Sequence, residues 1–274
     1  GMAPFMGQCV EAYCKVATKN MATLRRAGTP FLDEAALDAA GDDEKEGVLQ
    51  PIACSVLKKV LYGARMARPD LLKVVNVLAC MISKWSFKCD KMLHRLICYI
   101  NTSKNFRQKG YVGDDPKDLS LKLYGDADFA GCRDTARSTN GVFLVLVGPH
   151  TFMPLAAVAK RQSCVSHSTP EAELVAVDVA VRAVGIAAVE IWNLVMGREV
   201  VCRFQEDNTS TIQIIKKGMS PSIRHMGRTH RVSVAWLNEV FEDKESQMVI
   251  EYVQTGKQAA DVLTKSFTNA DKWK

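Results

Sequence analysis

Asp126 and Asp128 stand two residues apart in LSLKLYGDADFAG (119–131), at the end of a run in which Leu119, Leu121 and Leu123 alternate with Ser120, Lys122 and Tyr124. That period of two predicts a strand with one buried face. Acids two apart on an extended backbone project from the same face and can hold a cation between them. An isolated Asp-x-Asp pair also fits a polar turn after an edge strand. Further acids fall at the ends of expected elements: Glu173 in the first turn of a long helix, Asp207 after a strand, and Asp261 early in a final helix. Hard divalent cations take oxygen ligands and relieve the repulsion among them, so carboxylates in this order suit a two-metal site. Glu171 and Glu173 both lie where a helix dipole favours negative charge, and Glu171 is assigned to capping. Glu206 and Asp207 are adjacent, so strand alternation points them to opposite faces and only one can face such a site.

The elements that must position these acids are legible in outline. Val142–Val147 (VFLVLV) is a continuous apolar run ended by Gly148-Pro149 and predicts a second strand, with Phe152–Val158 a weaker third. HSTPEAELVAVDVAVRAVGIAAVEIWNL opens with a helix start, either Thr169 capping with Pro170 next or Ser168 capping reciprocally with Glu171. Glu199–Phe204 predicts a fourth strand, Thr209–Lys217 a short helix ended by Gly218, Arg228–Asp243 another helix, Met248–Val253 a fifth strand, and Gln258–Lys265 the start of a last helix. Together they predict a mixed α/β domain with its sheet between helices.

Upstream, apolar residues recur at three and four over Pro51–Met66 and again over Pro69–Asn101, which predicts helices separated by a break at Arg68–Asp70. Residues 1–30 contain only short apolar pieces before a Gly and a Pro, and 31–47 carry seven acids against Lys45 alone, which reads as a mobile acidic linker. From Leu49 to Gly110 twelve lysines and arginines face only Asp70 and Asp90. Such a block suits a surface that meets phosphates. The domain reading is therefore a flexible segment and acidic linker (1–47), a basic helical segment (48–115) and an α/β domain (116–274).

At 274 residues and 47% hydrophobic content the chain can bury a substantial core. No apolar run reaches the roughly 18 residues of a membrane span, so no membrane partner is expected. The first ten residues lack the regions of a signal peptide. The 9 cysteines contain no CxxC pair and the 5 histidines no HxxxH, which speaks against a disulfide framework or zinc knuckle and for reduced thiols in an intracellular protein, in cytoplasm or nucleus.

The segments YGDADFAG, DTARSTNG, STPEAEL, EDN, RTHRV and ADVLTK, in that order across 119–270, resemble the ribonuclease H domain at the C-terminal end of the Pol polyprotein of Ty1/copia retrotransposons. LYGARMARPDLLKVVNVLACMIS resembles the segment between the reverse transcriptase palm and ribonuclease H of the same family, its thumb or connection. No YxDD-type signature is present, so the fragment is expected to begin downstream of the polymerase active site and to have that polymerase domain as its upstream partner. The resemblance implies a ribonuclease H-like fold, a five-stranded mixed sheet flanked by helices and preceded by a small helical segment. It makes Asp126, Glu173, Asp207 and Asp261 the metal-binding and catalytic acids, with Asp128 a neighbouring contact to substrate or to a metal-bound water. Ser138, Thr139 and Asn208 match positions beside the substrate, and Arg224, Arg228, His230 and Arg231 of RHMGRTHR are expected to grip nucleic acid, although His225 and His230 also fit polar packing roles.

What the resemblance implies chemically is endonucleolytic hydrolysis of the RNA strand of an RNA–DNA hybrid by two Mg²⁺ ions, Mn²⁺ being an alternative. One would activate the attacking water and the other stabilise the leaving 3′ oxygen, about 3.5–4 Å apart. Contact with 2′-hydroxyls would single out the RNA strand. The chain departs from the family at Phe129 for a tryptophan, at Pro170 and Leu174 in STPEAEL, and at Glu206, where CDN has become EDN. VQTGKQAAD lacks the histidine that assists product release in other ribonucleases H. These departures keep a second reading open: a weakly active or relic module that binds nucleic acid as a platform within a larger Pol protein.

Overall fold

The alternating leucines form β1 (Ser120–Asp128), whose Leu121 and Leu123 are fully buried. The structure, a computed structural model, describes residues 1–17 and 21–273. Two compact units are present, one of residues 109–264 and the other of residues 1–108 with 265–274.

In the larger unit, β1 is followed by β2 (Thr139–Gly148) and β3 (Thr151–Arg161), each antiparallel to its predecessor. Helix α6 (Thr169–Ala180) continues through a π-helical turn at Val181–Gly185 into α7 (Ile186–Met196). Strand β4 (Cys202–Glu206) then pairs parallel with β1, and α8 (Thr209–Lys217), α9 (Met226–Thr229) and α10 (Val234–Glu242) lead to β5 (Met248–Tyr252), parallel to β4. The short α11 (Asp261–Thr264) closes the unit. The strand order is β3-β2-β1-β4-β5, so the expected ribonuclease H-like α/β fold is borne out.

One apolar core joins the sheet to its helices: Leu121, Leu123, Leu144 and Phe204 pack with Leu174, Val177 and Val181 of the α6 stretch and with Leu237 and Phe241 of α10. Each fully buried side chain of this size contributes roughly 1.5–3 kcal/mol relative to exposure. Gly125 is required here because a Cβ would stand 2.6 Å from Phe204 Cζ. Ser168 is the N-cap of α6, its Oγ accepting from Glu171 N at 3.3 Å, which selects Ser168 over Thr169; the expected return bond differs, the Glu171 carboxylate accepting from His167 N at 3.1 Å. Past the π turn, Ala188 and Val189 stay buried while Ile191, Leu194 and Val195 are exposed.

The helix expected over Arg228–Asp243 is two helices. Arg231 takes a left-handed backbone (φ 58°), which no helix interior accommodates, and Ser233 starts α10 by accepting from Trp236 N at 3.2 Å.

The other unit is helical. The stretch read as marginal forms α1 (Ala3–Val16), which buries Met6, Cys9, Val10, Tyr13 and Cys14 and packs on α3 (Gln50–Ala67) and α5 (Phe87–Ser103). Its start carries no side-chain cap, the signal that sequence reading relies on. Within the acidic stretch, Asp33 caps α2 (Glu34–Ala39), Asp38 pairs with buried Lys88 at 2.7 Å, and buried Asp42 with Lys91 at 2.6 Å. Acidic and basic stretches thus neutralise one another in part. The expected Arg68–Asp70 break follows α3, and there the Arg68 guanidinium grips Asp70 at 2.7 and 2.8 Å; the single helix expected over Pro69–Asn101 is instead a 3₁₀ turn, α4 (Leu72–Cys80) and α5. Asp90, an acid amid the basic block, accepts from Val48 N, Leu49 N and Trp85 Nε1 at 2.7–3.0 Å. The cysteines are free thiols, and among the described residues no helix is long and apolar enough to cross a membrane.

Candidate metal centre

Three carboxylates meet where β1, α6 and the end of β4 come together. One oxygen from each of Asp126, Glu173 and Asp207 lies within 4.8 Å of the other two. Asp126 and Glu173 are buried, at 3% and 4% exposure, and Asp207 is partly exposed, so the cluster has one open side. Asp126 sits opposite Gly141 of β2, where a Cβ would stand 2.6 Å from Thr264 Cγ2 and 2.9 Å from the Ala260 carbonyl. The missing side chain lets α11 lie against the strand, and the Thr264 hydroxyl donates to Oδ2 of Asp126. Asp261 opens that same helix and is partly buried, but its carboxylate is outside the group of three.

Glu206 lies near this cluster, although only Asp207 of the adjacent pair is among the three acids that meet. Glu206 is fully buried, its Oε1 accepts from Asn208 N at 2.9 Å, and its charge acts on Glu173. Glu206 is the last residue of β4 and Asp207 lies just past it. Glu173 Oε2 and Glu206 Oε2 are both buried without a hydrogen-bond partner among the described residues. Burial, then the charges of Glu206, Asp126 and Asp207, push the Glu173 carboxyl far above the usual range, against an opposing hydrogen bond from the Ala127 backbone. Burial also raises Glu206, with Asp207 and Asp126 adding to it and the Asn208 N–H opposing. Crowded carboxylates with orphaned oxygens and no cationic side chain among these partners fit a divalent cation. The all-oxygen donor set matches Mg²⁺ or Mn²⁺.

The remaining sequence-selected residues surround this centre or lie apart from it. Asp128 accepts from Thr139 N across the β1–β2 pair, and buried Ser138 accepts from Ala130 N at 3.1 Å. Asn208 caps α8, accepting from Thr211 N at 3.1 Å. Arg224, Arg228 and Arg231 are exposed. His225 Nε2 and His230 Nε2 both contact Glu171 Oε1, at 3.1 and 2.9 Å, and His167 N donates to Glu171 Oε2 at 3.1 Å. Burial opposes charge on Glu171, but the His167 N–H and the two imidazoles hold its carboxyl below the ordinary range. Glu171 is thus committed to the histidines and Glu173 to the acid cluster, a division that the capping argument anticipates.

No family model matches the chain. It is 26% identical over 234 residues to the retrovirus-related Pol polyprotein from transposon TNT 1-94 of Nicotiana tabacum, a match covering 81% of this chain and 16% of that polyprotein. A second match, 29% identical over 161 residues, is to the retrovirus-related Pol polyprotein from transposon RE1 of Arabidopsis thaliana and covers 58% of this chain and 10% of the relative. Its homologues are Ty1/copia-type Pol polyproteins. An uncharacterized mitochondrial protein of Arabidopsis thaliana is also similar, 29% identical over 129 residues, 47% of this chain and 48% of that protein. The chain therefore spans a small part of the Pol polyproteins it matches.

Proposed function

We propose that this chain is the ribonuclease H module of a retrotransposon Pol polyprotein and hydrolyses the RNA strand of RNA–DNA hybrids. The observation that carries the reading is the convergence of Asp126, Glu173 and Asp207 within 4.8 Å beside the central strand of a β3-β2-β1-β4-β5 sheet. Similarity to plant Pol polyproteins supports it. Those three acids would hold the divalent ions, with Asp261 entering from α11. Bound Mg²⁺ or Mn²⁺ would supply an activated water and neutralise the leaving oxygen. The protein's own part is placement: β1 and the Thr264 hydroxyl orient Asp126, and α6 carries Glu173 just past its first turn, whose acid is Glu171. Partly exposed Asp207 faces the side from which a substrate phosphate would arrive. Exposed Arg224, Arg228 and Arg231 would contact backbone phosphates of the hybrid, giving salt-sensitive binding.

The test is cleavage of a labelled RNA–DNA hybrid by the full chain with Mg²⁺, compared with Asp126→Asn and Asp207→Asn. Metal-dependent loss of the RNA strand alone, abolished in both variants, is the expected result. A folded wild-type protein that binds hybrid and leaves the RNA intact overturns it in favour of a nucleic-acid-binding platform.

A further inference from the structure

A second constellation of ligating atoms lies at the start of α6, chemically unlike the acid cluster. One atom each from His167, Glu171 and His225 fall within 4.8 Å of one another. The two imidazoles approach each other edge to face, with ring centroids 5.6 Å apart. Glu171 is 1% exposed, His225 is partly exposed and His167 is exposed, so a buried carboxylate stands at the base and the rings line a side open to solvent. The residues come from two separate stretches, 167–171 and 225, brought together by the fold.

From this geometry we infer that His167, Glu171 and His225 form a site for a transition-metal ion of the Zn²⁺ type, with a fourth position left to water. Two imidazoles and a carboxylate are a recurrent open zinc set. Bonds of about 2.0–2.1 Å in a tetrahedron put ligand atoms roughly 3.3–3.4 Å apart. The observed 3.1 Å between His225 Nε2 and Glu171 Oε1 is close to that edge. An ion entering there replaces this hydrogen bond by two metal bonds, the His225 ring proton residing on Nδ1. The carboxylate is already oriented as a ligand would need to be: His230 Nε2, its side chain 1% exposed, contacts Oε1 at 2.9 Å, and His167 N donates to Oε2 at 3.1 Å. Imidazole nitrogen separates this site from the oxygen-only cluster around Glu173, which selects harder cations. The ion would clip the entrance of α6 to the segment bearing Arg224, Arg228 and Arg231.

The experiment uses the full chain carrying Asp126→Asn, which weakens metal binding at the acid cluster, and titrates it with Zn²⁺ against a chromogenic chelator. Stoichiometric binding is expected, at least tenfold weaker in His167→Ala and in His225→Gln and unchanged in His150→Ala, an exposed histidine elsewhere. Zinc-edge X-ray absorption should report imidazole nitrogen together with oxygen, and Zn²⁺ should raise the melting temperature of the Asp126→Asn protein but not of its His167→Ala derivative. His167 is exposed, so its truncation tests the site even if His225→Gln unfolds the chain. Absence of stoichiometric Zn²⁺ binding, or binding untouched by His167→Ala, overturns the assignment and leaves a hydrogen-bonded clamp. None of these readouts depends on hybrid cleavage.

Discussion

The hydroxyl of Thr264 donates a hydrogen bond to Oδ2 of Asp126, 138 residues earlier in the chain. It ties the last short helix of the α/β unit to its central strand and fixes the orientation of a carboxylate that stands among other acids. Thr264→Val keeps the shape and removes the donor. A hydrogen bond to a charged group contributes about 1.5–3 kcal/mol, and a loss of that size is expected in urea denaturation at neutral pH. Hybrid cleavage should fall as well, because Asp126 loses its anchor.

Asp126→Asn and Asp207→Asn each withdraw a charge from the proposed metal centre. If the ions supply several kcal/mol of transition-state stabilisation, cleavage should slow by about a hundredfold or more under single-turnover conditions. Circular dichroism and hybrid affinity should change little by comparison. Equal loss of binding and cleavage would point to misfolding.

Glu173 carries a pH dependence with a defined sign. Burial and neighbouring acids raise its folded-state pKa above that of the unfolded chain, so its contribution is most favourable below the ordinary glutamate range and is lost as pH rises through the folded value. In EDTA, the wild type should lose stability between pH 5 and pH 9 relative to Glu173→Gln. Thermal melts of both proteins across that range measure the difference, and Mg²⁺ should reduce it.

Glu206 is fully buried, and its Oε2 has no hydrogen-bond partner among the described residues. Glu206→Gln removes a charge that burial and the neighbouring acids disfavour and should stabilise the metal-free protein at neutral pH by about 1–3 kcal/mol. Chemical denaturation in EDTA checks this; a destabilised variant would mean that Glu206 is held by interactions stronger than its orphaned oxygen suggests.

Gly141→Ala would place a methyl group 2.6 Å from Thr264 Cγ2 and 2.9 Å from the Ala260 carbonyl. Overpacking costs of about 1–3 kcal/mol are expected, together with displacement of the helix that carries Asp261 and Thr264. Hybrid cleavage should drop more in this variant than in Gly256→Ala, where a Cβ meets open space.

Much of the α/β unit is legible in local pattern. Alternation at Leu119–Leu123, the run Val142–Val147 and the polar start at Ser168 locate β1, β2 and α6 because each depends on neighbouring residues alone. Asp126, Glu173 and Asp207 follow from their places at element ends. The full burial of Glu206 beside them does not, since it comes from packing that no local pattern encodes. The pairing of Glu171 with His225 and His230 joins residues 54 and 59 apart, which no local period encodes. Arg231 interrupts a helical pattern through a backbone conformation that its side chain does not announce. Helix α1 escapes notice for the opposite reason, having a buried face but no capping signal.

The strand order also has a kinetic meaning. β1, β2 and β3 form a meander of antiparallel neighbours joined by short connections, whereas the β1–β4 pairing must close a loop from Leu121 to Cys202. Local hairpins form in microseconds and distant parallel pairings far more slowly. The step that completes the sheet also delivers Glu206 and Asp207 to Asp126, so chain closure and charge repulsion are met together. Refolding of the metal-free chain should therefore accelerate at low pH, where the late-arriving Glu206 carboxylate is protonated.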